Sequence, residues 1–143
     1  MIIDTARSDD LAEILDLLTR TGLPLDGLRD HLPTTLVGRE DGHVVGSAAL
    51  ELYADSALLR SVAVSPSLQH RGLGQALTRA ALALAREHRV AAVYLLTTTA
   101  DAFFPRFGFV RVTRQDVPEA VRQSVEFTTA RPSTATVMRL TIA

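Results

Sequence analysis

The chain has 143 residues, no cysteine and a formal net charge of −1, with 47% apolar and 22% charged residues. That size and balance predict one domain with a real core, and they exclude a disulfide framework, a thiolate zinc site and a covalent thiol intermediate. Near-neutral charge confines any polyanion site to a local cluster rather than a nucleic-acid or membrane-binding surface. The start MIIDTARSDD lacks a basic region and apolar run, and no stretch reaches the roughly 18–20 apolar residues of a membrane span, so a cytoplasmic protein is expected.

Met1 to Ala6 reads as a short strand. Ser8 is a candidate N-cap with Asp9 and Asp10 in the first turn, and Leu11, Ile14, Leu15 and Leu18 form the apolar stripe of a helix to about Arg20, stopped by Gly22 and Pro24. A second helical piece, Leu25 to Leu32, carries Leu25, Leu28 and Leu32 ahead of Pro33. Thr35 to Arg39 and His43 to Tyr53 flank Asp41-Gly42, a hairpin signal because both residues tolerate positive φ. Asp55-Ser56 turns the chain into an apolar strand, Leu58 to Val64.

Ser65-Pro66-Ser67 ends that strand, and from Leu73 apolar residues recur at Leu77, Ala80, Ala81, Leu84 and Ala85, one face of a helix to about His88. Gly72 and Gly74 therefore fall where a strand exits and a helix begins. Unpaired helical N–H groups and the positive end of the helix dipole face outward there, and glycine lets a diphosphate approach the backbone. Gln69-His70-Arg71-Gly72-Leu73-Gly74 thus reads as a phosphate cradle with local positive charge. It lacks the Gly-Lys-Ser/Thr ending of a nucleoside-triphosphate loop and the third glycine of a dinucleotide fingerprint. The helix crosses to a parallel strand, Ala92 to Thr97. Thr99 is a candidate cap for a turn opening at Ala100 that Pro105 shortens. A strand Val110 to Thr113, a capped helix from Asp116-Val117-Pro118-Glu119 to about Val125, and a closing strand Thr134 to Ile142 follow. Three antiparallel strands leading into the loop suit a mixed sheet flanked by helices.

Gln69-x-x-Gly72-x-Gly74 after Val62-Ala63-Val64, with Phe103-Phe104-Pro105-Arg106-Phe107-Gly108-Phe109 beyond the parallel strand, resembles the GCN5-related N-acetyltransferases over about residues 1 to 115. The resemblance implies that family's α/β fold: a mixed, mostly antiparallel central sheet of about seven strands flanked by helices. It implies acetyl-coenzyme A as co-substrate and no metal, with a small-molecule amine as acceptor, and it is compatible with a homodimer. Backbone groups of Val62 and Val64, with Ala63 between them, would hold the pantetheine arm and acetyl carbonyl. Gln69, His70, Arg71, Gly72, Leu73, Gly74 and Gln75 would hold the pyrophosphate. The connection after the first helix would line the acceptor pocket, which makes Asp26, Arg29, Asp30 and His31 either acceptor contacts or, the preferred reading, solvated charges on a surface helix.

Two departures bear on catalysis. Several family members carry a glutamate on the strand before the loop, where this chain has Leu58 and Ser61, and many carry a thiolate-protonating tyrosine where it has Phe104. Glu51 is the nearest carboxylate, either a base for the acceptor amine or a partner of Arg60. Tyr53 and Tyr94 are the only phenols. An arginine within an apolar strand must be paired, so Arg60 meets either a protein carboxylate or one from the substrate; the substrate is the expectation. Ser61, Thr97 and Thr98 would add hydroxyls to the acceptor site, and Glu126 and Phe127 would complete it around an ammonium group.

LLRSVAV, LLTTTADAFFPRFGF and PEAVRQSVEF further resemble the N-acetyltransferases of arsenic-resistance operons, which are similar to short N-acetylglutamate synthases. This resemblance implies a glutamate-like acceptor such as phosphinothricin or its arsenic analogue. Acetylation of a protein N-terminus or lysine, and acyl-coenzyme A sensing without turnover, are the alternatives. His31, His43, His70 and His88 are scattered without ligand spacing, so no metal site is expected.

Overall fold

The computed structural model describes residues 1–142. Its centre is a seven-stranded sheet of β1 (Ile2–Thr5), β2 (Thr35–Glu40), β3 (His43–Tyr53), β4 (Ser56–Val64), β5 (Ala92–Thr97), β6 (Val110–Val112) and β7 (Thr136–Thr141). The spatial order is β1-β2-β3-β4-β5-β7-β6. All neighbours are antiparallel except β4 and β5, as a crossover helix between those two strands requires. The helices are α1 (Leu11–Arg20), α2 (Leu73–Glu87) and the single turn α3 (Glu119–Arg122).

Apolar periodicity assigns the faces. α2 buries Leu77, Ala81, Leu82 and Ala85 in the main core, with Leu50, Leu59, Leu95, Phe104 and Phe109. α1 covers the opposite face with Ile14, Leu17 and Leu18, over Val37, Val44 and Ala49. α3 covers the other part of that face, where Val121 packs with Leu58, Tyr94, Leu96 and Val137. The β2–β3 hairpin turns at Asp41 (φ +52°) and Gly42 (φ +80°), as the Asp-Gly pair predicts.

Local departures from the sequence reading have side-chain causes. Asp10, not Ser8, organises the entry to α1: its carboxylate accepts from the Arg7 N–H at 2.7 Å and from both Arg39 Nη atoms at 2.7 and 2.5 Å. The piece expected as a helix from Leu25 is 3-10 backbone over Leu28–Thr34, entered through Gly27 at φ +75° and kinked at His31; Pro33 has no N–H with which to continue an α-helix. Thr97, not Thr99, caps the turn after β5, accepting from the Ala100 N–H at 2.9 Å. Asp116 bonds backwards to the Thr113 N–H and hydroxyl at 3.0 Å. The helix after it is therefore α3 alone, followed by a π-helical turn over Glu126–Ala130. Among the described residues no helix is long and apolar enough to cross a membrane, and no cluster of three His, Asp or Glu side chains is placed to hold a metal.

Candidate active site

The site begins with a strand pair that comes apart. β4 and β5 pair only at Ser56–Leu58 against Ala92–Tyr94. Beyond Leu58 that edge of β4 has no strand partner among the described residues, which frees backbone N–H groups there from the ladder; the Val64 carbonyl is taken up by Gln69 Nε2, which donates to it at 3.1 Å. β5 stays paired on its other edge with β7 as far as Thr97↔Thr136.

A bulge in β4 sets what faces the opening. Ser47 lies opposite Ala63 and Ala49 opposite Arg60, so Ala48 faces both Ser61 and Val62. The extra residue reverses the inside–outside alternation. Ala57 and Leu59 before it, and Val62 and Val64 after it, all contribute to the α2-side core, while Leu58 and Ala63 pack on the other face. Ser61 stands at φ +58°, a left-handed conformation that costs an L-residue about 1–2 kcal/mol. Its carbonyl accepts from Ser47 Oγ at 2.7 Å, and its hydroxyl accepts from Arg60 Nε at 3.1 Å.

Two cavities meet at this opening. The larger, of about 800 Å³, runs from Val62–Val64 past Gln69, His70 and Gly72–Gln75, with Ala100, Ala102, Phe103, Phe104 and Arg106 as its other wall. At its far end Gly72 (φ +80°) is the N-cap of α2, and the first helical bond there is Ala76 N–H to Gly72 O at 3.1 Å. The amides of Leu73, Gly74 and Gln75 therefore have no intrahelical acceptor. The smaller cavity, of about 190 Å³, shares Val62–Val64, Gln69, Thr99, Ala100 and Phe104 with the larger one and is closed by Thr21, Leu23, Arg60, Ser61, Thr97 and Arg131.

Behind the smaller cavity lies a buried charge network. The Arg60 side chain is fully buried. Its Nη1 donates to Asp26 O at 2.6 Å and to Glu51 Oε2 at 3.0 Å, and Nη2 donates to Pro24 O at 3.2 Å, with Glu126 Oε2 at 3.8 Å. Glu51 also accepts from the Tyr53 hydroxyl and Ser124 Oγ, each at 2.5 Å, and His31 Nε2 lies 3.6 Å away. Burial alone would push Glu51 up, but the bonds from Ser124, Tyr53 and Arg60 and the charge of His31 outweigh it and hold the carboxyl below the usual range. Burial and the bond to Glu51 push the Tyr53 phenol up to about 12. Glu126 pairs with Arg131 Nε at 3.4 Å; there burial wins over Arg60 and Arg131, and the carboxyl is raised.

The site thus combines a strand pair that parts just before a bulge with a glycine-capped helix N-terminus. Residues 4–109 match the acetyltransferase (GNAT) family. The chain belongs to that family. It is 38% identical over 72 residues to an amino-acid acetyltransferase of Mycobacterium tuberculosis (50% of this chain, 41% of that protein). It is 29% identical over 130 residues to an amino-acid acetyltransferase of Neisseria meningitidis (85% of this chain, 30% of that protein). The chain thus spans less than half the length of these two relatives. In fold it is similar to Rv2747 from M. tuberculosis, crystallised with CoA (TM-score 0.85, 25% identity, 100% of both chains). It is likewise similar to N-acetylglutamate synthase from Neisseria gonorrhoeae, complexed with coenzyme A and N-acetyl-glutamate (TM-score 0.85, 24% identity, 99% of this chain and 35% of that one).

Of the residues singled out in the sequence, this GNAT structure places Val62, Ala63, Val64, Gln69, His70, Gly72, Leu73, Gly74, Gln75 and Phe104 on the large cleft, and Arg60, Ser61 and Thr97 on the small cavity. Arg71 and Thr98 are exposed and line neither, while Phe127 packs in the α3-side core with the Arg114 guanidinium over its ring. Tyr94 is buried in that same core. The fork expected of Arg60 meets protein groups in this structure, with hydrogen bonds to Pro24, Asp26, Glu51 and Ser61. Glu51 lines neither cavity, and both its oxygens accept from protein donors, which favours the pairing alternative over the base. Thr21, Leu23 and Arg131 line the small cavity without having been singled out; no periodicity or motif marks them.

Proposed function

We propose that this GNAT chain transfers an acetyl group from acetyl-coenzyme A to the amine of a small, anionic, glutamate-like amino compound. The observation that carries the reading is the seam at Val62–Val64, where a cleft ending in free helix amides opens into a cavity lined by Arg131. The named activities of the curated relatives, both amino-acid acetyltransferases, support the acceptor class. The resemblance to arsenic-resistance acetyltransferases adds phosphinothricin and arsinothricin as candidates within it. A cytoplasmic setting, where acetyl-coenzyme A is at hand, fits the reading.

The cleft suits the co-substrate. A Cβ at Gly72 would meet no atom within 4 Å, and one at Gly74 would meet only Phe103 and Val64 at 3.7 and 3.8 Å, so the loop keeps open space over the amides that would receive a pyrophosphate. Acetyl-coenzyme A supplies a thioester with a good leaving thiolate. The unpartnered edge of β4 at Val62 and Val64 supplies backbone N–H to the acetyl oxygen as it becomes negative; one such donor is worth about 10²-fold or more in rate. The amine attacks as the free base, the N–C bond forms and the C–S bond breaks. The amine's proton passes to water, because Glu51 has its oxygens engaged, and the thiolate leaves unassisted, because Phe104 cannot donate. Positioning then carries most of the remaining acceleration.

Arg131 lines the cavity, its Nε donates to Glu126, and among the described residues its Nη atoms have no hydrogen-bond partner, so it is the group for the acceptor's carboxylate. Arg131→Ala is expected to raise the acceptor KM by about 10-fold or more, as for loss of a charge-assisted bond, with coenzyme A affinity unchanged. An unaltered acceptor KM would remove this assignment. Phe104 also favours a second reading, acyl-coenzyme A binding without turnover, which tight binding and no acetylation of any amine would support.

A further inference from the structure

The bulge in β4 and the wall of the small cavity are joined by one side chain. Arg60 reaches from the bulged strand to the backbone of Pro24 and Asp26, in the segment that follows the cavity-lining residues Thr21 and Leu23. Its Nε holds the hydroxyl of Ser61, the residue in the left-handed conformation. Glu51 holds Nη1 and is itself fixed by Tyr53 and Ser124. A guanidinium offers donors in a rigid fork, so a displacement at any one contact is transmitted to the others.

We propose that Arg60, oriented by Glu51, is a positioning residue that locks the acceptor-side wall, Thr21 to Gly27, onto the Ser61 bulge. The acceptor amine and the strand amides that receive the acetyl oxygen are then held in one fixed relation. The proposal rests on the acetyltransferase reading for its kinetic consequence, but the lock is a property of the resting protein. Gly27 lies close against both partners of this wall: a Cβ there would meet Val125 Cγ1 at 3.0 Å and Arg60 Nη1 at 3.7 Å, while the Pro24 and Asp26 carbonyls accept from the arginine.

The lock differs from a substrate-binding arginine in which parameter it controls. Misplacement by about 1 Å costs roughly 10²-fold in rate, whereas loss of a carboxylate anchor raises acceptor KM alone. It also differs from a merely structural ion pair, because the carbonyl contacts require the fork and a lysine cannot replace them.

The experiment uses Arg60→Lys, which keeps the charge beside Glu51, in the full-length protein. Amide hydrogen exchange is the first readout: Leu23, Leu28 and Asp30 bond to Leu18, Leu25 and Gly27 carbonyls in wild type. They are expected to exchange about tenfold faster or more in the variant, with α2 and β5 unchanged. The second readout is kinetic: kcat is expected to fall by about 10²-fold while the dissociation constant for coenzyme A stays within twofold of wild type. Unchanged exchange in residues 21–30 overturns the lock whether or not the protein turns over any amine. Uniformly faster exchange throughout the chain reduces Arg60 to a structural ion pair and likewise overturns it. A wild-type protein that acetylates nothing removes the acetyltransferase reading and leaves the exchange result to decide the lock.

Discussion

Removing the Glu51 carboxylate isolates the energetics of the buried network. Glu51→Ala leaves the Arg60 guanidinium, fully out of solvent, without its closest counter-charge, and strips the acceptor from the Tyr53 and Ser124 hydroxyls. An orphaned buried charge costs about 3–5 kcal/mol. Each widowed hydroxyl adds about 1 kcal/mol, but the three share one network, so the terms overlap and do not simply add. A total of about 3–5 kcal/mol is a large part of the roughly 5–15 kcal/mol available to a domain. In urea, with a slope near 2 kcal/mol per molar, the midpoint should fall by about 2 M. The pH dependence identifies the cause. The folded carboxyl is held below its usual value of 4.5, so its contribution is complete above that value and is lost as pH falls through the lower folded value. Stability differences between wild type and Glu51→Gln should therefore be flat near neutral pH and shrink below about 4.5. A Glu51→Ala protein within about 1 kcal/mol of wild type would refute the description of this pair.

Three further outcomes follow from the same geometry. Glu126 has the opposite sign: burial raises its folded value, so its charged form costs stability above that value, and below the ordinary 4.5 the cost is gone. Glu126→Gln should therefore be at least as stable as wild type at pH 7, with the difference vanishing in acid; denaturant melts from pH 4 to 8 check this, and a clear loss at pH 7 would contradict it. Gly72→Ala forces an L-residue to φ +80° at about 1–2 kcal/mol and turns the helix-end amides. Calorimetry should show coenzyme A binding weakened by about tenfold, and equal affinity would refute the cradle. Asp10→Asn should lower the thermal midpoint through Arg39, which loses its bidentate carboxylate; an unchanged midpoint would show that pair to be energetically silent.

The parts of this fold legible in the sequence are those written in short-range chemistry. Asp41-Gly42 specifies the hairpin, and the 3.6-residue stripe of α2 and the apolar run of β5 mark themselves. The two-glycine loop marks its helix end. Insertion of β7 between β5 and β6 depends on pairing across forty residues or so, for which no local signal exists. The bulge at Ser61 is equally silent, because serine neither favours a left-handed backbone nor breaks the apolar pattern around it. The sequence required that Arg60 be paired. It did not reveal that two of the acceptors are backbone carbonyls at Pro24 and Asp26, since carbonyls carry no residue signature. Asp10 and Thr97 are the side chains that bond at their turns; Ser8 and Thr99 carry the same sequence signal because polar residues cluster at both turns and spacing alone does not choose among them.

The most direct test of the acetyltransferase reading is release of coenzyme A from acetyl-coenzyme A, read with a thiol reagent in a protein that has no cysteine of its own. Wild type would be assayed with glutamate, aspartate, phosphinothricin, arsinothricin, a polyamine and a lysine peptide. Turnover concentrated on the glutamate-like acceptors is the predicted result. Turnover of the polyamine or the peptide in preference to all of them, or of none of the panel despite tight cofactor binding, would contradict the proposed reaction.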